Sequence, residues 1–417
     1  MKPLLKLLQA RNDQFKGEVD PRFLDVAQLF SRFQDSRANE GGASVVVFFQ
    51  GKKVLDIYIG KKSASEDWQN DTMSMCYSTG KGVLATLAHI LVSEGHVAYD
   101  EPVATYWPEF AQNGKNNITL RQMLSHQTGL FDIRHLIDDA NEMLDWAHML
   151  KKIEEAQPKF EPCTDAAYQP LTFGWQVAGV LEKATGKSLH DLMQTYLVEA
   201  LQLDGAYFGI DDQALSRVAV PFFRSSKKKQ NQTTKQKQAK RKPSFFEKMV
   251  ELSGQNLQEF QDAMIPKGMK NFSFFDEAGL KAVIPAANGV FTAHSLAKIY
   301  AMLANKGTWQ GKQLISDQVF QELSQIQYTF RDRIMPLPMH WRLGYHRILH
   351  LGKSTQGFGH MGFNGSGAWC DPARDLSFAY THNFATNSIT GDYRLWALSQ
   401  EVLRCADRAL TGRKGWF

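Results

Sequence analysis

Apolar residues recur at helical spacing near the amino end, where Phe23, Leu24, Val26, Ala27, Leu29 and Phe30 predict a helix over 21–36, broken by Gly41-Gly42. Two β-rich runs follow, 43–50 and 53–59, and their Gly51-Lys52 link predicts a hairpin. Residues 83–92 differ from both. They are apolar nearly all round, which predicts a buried helix, closed near Glu94-Gly95. Helical periodicity then dominates to residue 201, with short breaks and a glycine stop at Gly186 after a helix over 173–185. Beyond residue 284 helices are expected over 295–305 and 316–324. Short strands are expected at 342–349, 357–361, 366–370 and 376–382, and a last helix over 395–410. The turn Asp371-Pro-Ala-Arg-Asp375 makes the last two strands a hairpin.

Strands near both ends with helices between predict an α/β (α+β) class. One antiparallel sheet, flanked by helices, would be built from the two ends, with an all-helical part inserted. The expected organisation is a single catalytic unit over 1–417. Its α/β part comprises 1–80 and 285–417, and its helical part comprises 81–284.

Composition narrows the function classes. With 43% hydrophobic and 22% charged residues the chain reads as globular. No apolar run approaches the ~20 residues that span a bilayer, so no membrane span is expected. Lys6 and Gln9 interrupt the apolar amino end, so no secretory leader is expected either. Four cysteines without paired spacing read as reduced thiols in the cytoplasm. The net charge of +5 is local, because 225–242 carries eight basic residues and no acidic one. The segment 225–243 is expected to be a solvated surface insertion, or else a tether to an anionic partner. It interleaves no aromatic among its charges, so no specific nucleic-acid contact is expected.

The candidate chemistry lies at Ser78 and Lys81, three residues apart at the start of the buried apolar run. Helical spacing puts them on one face. A serine hydroxyl needs a base, and a lysine becomes one when burial disfavours its ammonium form. The alternative is an ordinary helix-capping serine. The same spacing at Ser225–Lys228 and Ser226–Lys229 falls in the basic segment. At Ser295–Lys298 it falls on an amphipathic helix whose solvated face would hold Lys298. Cys76 is a second nucleophile candidate, without a base at helical spacing. No Gly-x-Ser-x-Gly elbow, His-Glu-x-x-His or phosphate-cradling glycine loop occurs. His346 and His350 could share a strand face, but packed histidines explain them as well; no metal or cofactor is expected.

Ser78-Thr-Gly-Lys81 resembles the nucleophile motif of the serine β-lactamase and penicillin-binding-protein superfamily. Five further blocks resemble its class C-like esterase branch in order and approximate spacing. They are Asp100-Glu-Pro-Val-Ala-Thr-Tyr-Trp-Pro-Glu-Phe110, Met123-Leu-Ser-His-Gln-Thr-Gly-Leu130, Tyr168-Gln-Pro-Leu-Thr-Phe-Gly-Trp175, Pro285-Ala-Ala-Asn-Gly289 and Gly359-His-Met-Gly362. The resemblance implies a β-lactamase/transpeptidase-like fold and a serine hydrolase of carboxylesterase type. Ser78 would be nucleophile, Lys81 base and Tyr168 proton relay, with a cation at Lys81 favouring the Tyr168 phenolate. The family pattern further implies an oxyanion site at the N–H groups of Ser78 and Phe363, close approach at Gly362, and His360 lining the site. Tyr168 and His360 also admit plain packing roles; His126 reads as a structural loop residue and Trp175 as core. Two departures stand out. Tyr-x-Asn becomes Tyr168-Gln169-Pro170, and Lys-Thr-Gly becomes His360-Met361-Gly362. A mostly neutral histidine holds a carboxylate less well than lysine, which favours small neutral esters over antibiotics. Acyl transfer, amide hydrolysis or β-lactam cleavage would use the same machinery. A non-catalytic scaffold or filament protein retaining the fold is the rival from another class.

Overall fold

The computed structural model describes residues 15–35, 41–223, 254–348, 356–385 and 393–412. Seven strands form an antiparallel sheet: β1 (Lys16–Val19), β2 (Gly42–Phe49), β3 (Lys52–Gly60), β4 (His346–Arg347), β5 (Phe358–Met361), β6 (Gly367–Asp371) and β7 (Leu376–His382). Their order across the sheet is β1-β3-β2-β7-β6-β5-β4, so strands from the two ends of the chain meet where β2 pairs with β7. This is the mixed helix and antiparallel-sheet class expected from the sequence.

Side chains alternate between the faces of the sheet, and the two faces have different cores. Val45, Val47 and Phe49 of β2 pack with α1 (Leu24–Asp35) and α6 (Tyr393–Thr411). Val46 and Phe48 point the other way, into a larger core shared with α2 (Thr79–Ser93), α3 (Thr172–Thr185), α4 (Ala293–Ala304) and α5 (Asp317–Ser324). Because both faces are covered, β7 is buried at all seven positions. Its small residues face α4, where the Ser377 hydroxyl donates to the Ala297 carbonyl at 3.0 Å. Trp369 of β6 faces the other core and donates its indole N–H to Ser399 of α6. The sheet is thus pinned on each side by one side-chain hydrogen bond as well as by apolar burial.

Two expectations change, and a third falls outside the described residues. The strand at 342–349 shrinks to His346–Arg347, because Arg342 N–H bonds Tyr345 O and Gly344, at φ 80°, turns the chain there. Lys298 is half-buried rather than fully solvated, and its ammonium reaches the carbonyls of Leu201 and Gln202 and so ties α4 to the end of the preceding helical segment. Ser225, Ser226 and the basic segment 225–243 lie outside the described residues, as does His350. Among the described residues no helix is long and apolar enough to cross a membrane.

Candidate active site

The helix α2 begins at Thr79, and Ser78 is its N-cap residue with φ −63°, ψ −9° and no side-chain capping hydrogen bond. Its hydroxyl is turned away from the helix N–H groups. Tyr77, just before it, sits at φ 47°, an unfavourable conformation for a bulky residue. Two short strands hold the turn. Ser74–Met75 pairs with Val290–Phe291, and Cys76 N–H donates to Gly289 O at 2.8 Å. Gly80 lets the Pro285 carbonyl approach, since a Cβ there would lie 2.9 Å from it. Gly82 makes room for the Tyr300 hydroxyl and the His360 side chain.

Lys81 is fully buried one turn further on. Its Nζ lies 2.9 Å from Ser78 Oγ, 2.7 Å from Pro170 O and 2.9 Å from Ala286 O. The turn that carries Ala286 is clipped by the buried Asn288. Its amide bonds Gly279 O and Ala282 O, and its carbonyl accepts from Ile284 N–H. Burial holds the Lys81 pKa well below that of an ordinary lysine. A neutral amine has two N–H groups and one lone pair. In that form the two carbonyls accept the N–H groups, which leaves the lone pair for the Ser78 hydroxyl.

Tyr168 completes the group, with its hydroxyl donating to Ser78 Oγ at 2.9 Å and its ring 5.0 Å from Lys81 Nζ. The expected phenolate is a correction. Burial pushes the Tyr168 pKa up, so the phenol keeps its proton. Cys76 is fully buried, its Sγ contacts Ser74 O, and burial pushes its pKa up to about 12, so it offers no thiolate.

His360, Gly362 and Phe363 come to the same cleft at the end of β5, as do Met264, Met335, Met339 and Trp341. The cavity holds about 60 Å³ and is lined mostly by apolar side chains. His360 is 3% exposed, its Nδ1 lies 2.9 Å from Met361 O, and burial lowers its pKa well below the usual imidazole value. It stands at the site as a neutral ring. Neighbouring His346 takes the Met361 N–H on Nε2 and directs Nδ1 to Arg347 O, which leaves no ring nitrogen for a metal. Gly362 N–H bonds Ser366 O, and a Cβ on Gly362 would fall 2.2 Å from Cys76 O. Gly362→Ala is therefore expected to push the end of β5 off the start of α2. Turnover should fall roughly 10²–10³-fold, the size of losing an oxyanion donor, while circular dichroism stays native.

His126, at φ 61°, packs 5.0 Å from the Tyr168 ring and accepts the Gln169 N–H. Gln169 does not replace the missing amide of the family motif. It is fully buried in a network with Thr128 and Gln176. The backbone at Pro170 serves the site instead, through its carbonyl on Lys81. Sequence reasoning missed Asp332 and Trp341. Trp341 stacks on Tyr168 at 5.5 Å and 6°, and neither residue belongs to a motif.

The pattern of the Beta-lactamase family matches residues 26–400. The chain is 32% identical over 372 residues to the Esterase/beta-lactamase LipL of Mycobacterium tuberculosis, spanning 88% of this chain and 82% of that one. A family VIII carboxylesterase structure superposes with TM-score 0.79 at 28% identity, covering 94% of this chain and 100% of the other. A penicillin-binding-protein homologue from Caulobacter crescentus superposes with TM-score 0.78 at 27% identity, covering 94% and 99%. With a family pattern over most of its length and relatives of esterase type, the chain belongs to the beta-lactamase family and is a serine hydrolase.

Proposed function

We propose that the protein is a carboxylesterase that works through an acyl-Ser78 intermediate on small, neutral, largely apolar esters. The observation that carries this is the hydrogen-bonded set Lys81–Ser78–Tyr168, built around a buried amine. The Ser78 proton passes to Lys81 Nζ as Oγ attacks the acyl carbon. The developing oxyanion is met by the N–H groups of Ser78 and Phe363, neither of which has a carbonyl partner among the described residues. Tyr168 gives its proton to the departing alkoxide and recovers one from the Lys81 ammonium across Ser78 Oγ. A water molecule then attacks the acyl carbon, losing its proton to the same pair, and Ser78 is released with its hydrogen.

Three further features agree with this reading. The methionine- and tryptophan-lined cleft suits an apolar acyl group, since thioether side chains adapt to irregular shapes. Neutral His360 supports the preference for uncharged substrates. The four cysteines are free, and three of them are buried, as in a protein of the cytoplasm. Assembly of the three reactive groups at hydrogen-bond distance weighs against a scaffold role.

The test compares p-nitrophenyl hemisuccinate with its methyl ester. The missing charge-assisted hydrogen bond to a carboxylate is worth about 1.5–3 kcal/mol. The free acid should therefore be hydrolysed roughly 10–100-fold less efficiently. Equal kcat/KM values would remove the neutral-ester reading, and failure to hydrolyse either would remove the esterase reading.

A further inference from the structure

Tyr168 belongs to no helix or strand; residues 165–169 are irregular. Its hydroxyl nevertheless has to be held at hydrogen-bond distance from Ser78, so its aim comes from elsewhere. The Ala167 N–H is tied to His126 O at 3.0 Å. Four further hydrogen bonds around it converge on one buried carboxylate. Asp332 Oδ1 accepts the Tyr168 main-chain N–H at 3.2 Å and those of Ile334 and Met335 at 2.8 Å each. Its Oδ2 accepts the Trp341 indole N–H at 2.8 Å, and that indole is the ring stacked on Tyr168.

We propose that Asp332 is a positioning residue for the proposed proton relay: a single carboxylate fixes both the backbone of Tyr168 and the aromatic face on which its ring lies. The inference rests on the role given to Tyr168 above.

The chemistry of the site explains why a carboxylate is there. All four partners are N–H donors, and an ionised Asp is acceptor-only, with two oxygens to serve them. Asparagine has the same shape, but its NH₂ would face one of these donors. Asp332 is 1% exposed and none of its four hydrogen-bond donors is a cation, so its charge is sustained by the N–H groups alone. Burial still raises its pKa to about 6. The four N–H groups offset part of the desolvation cost of that charge, and each is held in place by it. The loop it organises supplies Met335, Met339 and Trp341 to the cleft, so the wall of the cleft and the relay are set together.

The test exploits the difference between leaving groups. A p-nitrophenolate departs without a proton, whereas an alkoxide needs one from Tyr168. With the acyl group held constant, Asp332→Asn should lower kcat/KM for ethyl butyrate about 100-fold, the size expected of an ångström-scale misplacement. The loss for p-nitrophenyl butyrate should be several-fold at most. Tyr168→Phe provides the reference and should show the same split, larger. Equal losses on both esters, or no loss, for Asp332→Asn beside a split in Tyr168→Phe would overturn the role of Asp332 and leave the relay standing. No split in Tyr168→Phe would remove the relay, and the Asp332 inference with it. Should Asp332→Asn fail to fold, Trp341→Phe removes the indole N–H and keeps a ring. It is expected to show the split in weaker form, and equal losses on both esters would overturn the proposal.

Discussion

Ser78→Ala is expected to abolish ester hydrolysis, lowering kcat roughly 10⁴–10⁶-fold, while the protein remains folded and binds ester substrates. The substitution removes one hydroxyl from a half-buried position that caps no helix N–H, so little stability rests on it. What it removes is the acyl acceptor. Labelling by a fluorophosphonate probe should disappear in the same variant, because the probe reports the nucleophile rather than the substrate pocket. Adding Lys81→Ala to Ser78→Ala should cost almost nothing more, since the base has no proton left to take. Residual hydrolysis within tenfold of wild type would point to another nucleophile. Cys76 is a poor substitute, buried beneath the turn with its thiol pKa pushed up to about 12.

How much of this was legible in the sequence depends on whether a feature is local. Ser78 and Lys81 lie on consecutive turns of one helix, so spacing put them on one face, and the all-round apolar run told that the face is buried. The first hairpin of the antiparallel sheet was legible for the same reason, since two β-rich runs joined by a tight Gly51 turn report strand pairing directly. Tyr168 was visible only through its family block; 86 residues of helices and loops intervene after Lys81, and no periodicity reports a coil residue folded back on Ser78. Asp332 and the carbonyls of Pro170 and Ala286 were not legible at all. A carbonyl has no side-chain signature, and an aspartate in a loop usually means a solvated turn. The error over the Tyr168 phenolate has a physical cause. Proximity of amine and phenol and the dryness of the amine were foreseeable, but the dryness of a phenol carried on a coil segment was not, and desolvation acts on each to favour the neutral form.

Lys81→Ala is expected to reduce kcat/KM roughly 10²–10⁴-fold, the usual worth of a positioned general base. Lys81→Arg should be nearly as inactive, because a guanidinium keeps the charge and the donors but does not give up a proton. Retained activity in the arginine variant would make the lysine a fixed cation and overturn the base assignment. The pH dependence follows with a definite sign. Burial lowers the Lys81 pKa from the 10.5 of an ordinary lysine, and the reactive form is the neutral amine. Activity in wild type therefore rises with pH through that lowered pKa and then levels off. Stability moves the same way over the window between the folded-state pKa and 10.5, where the unfolded chain binds a proton that the folded chain refuses. Raising the pH across that window should stabilise wild type relative to Lys81→Ala, as read from urea midpoints at several pH values. A difference that stays flat would mean that Lys81 keeps its proton in the folded protein, and an amine that is already protonated has no lone pair for the Ser78 hydroxyl.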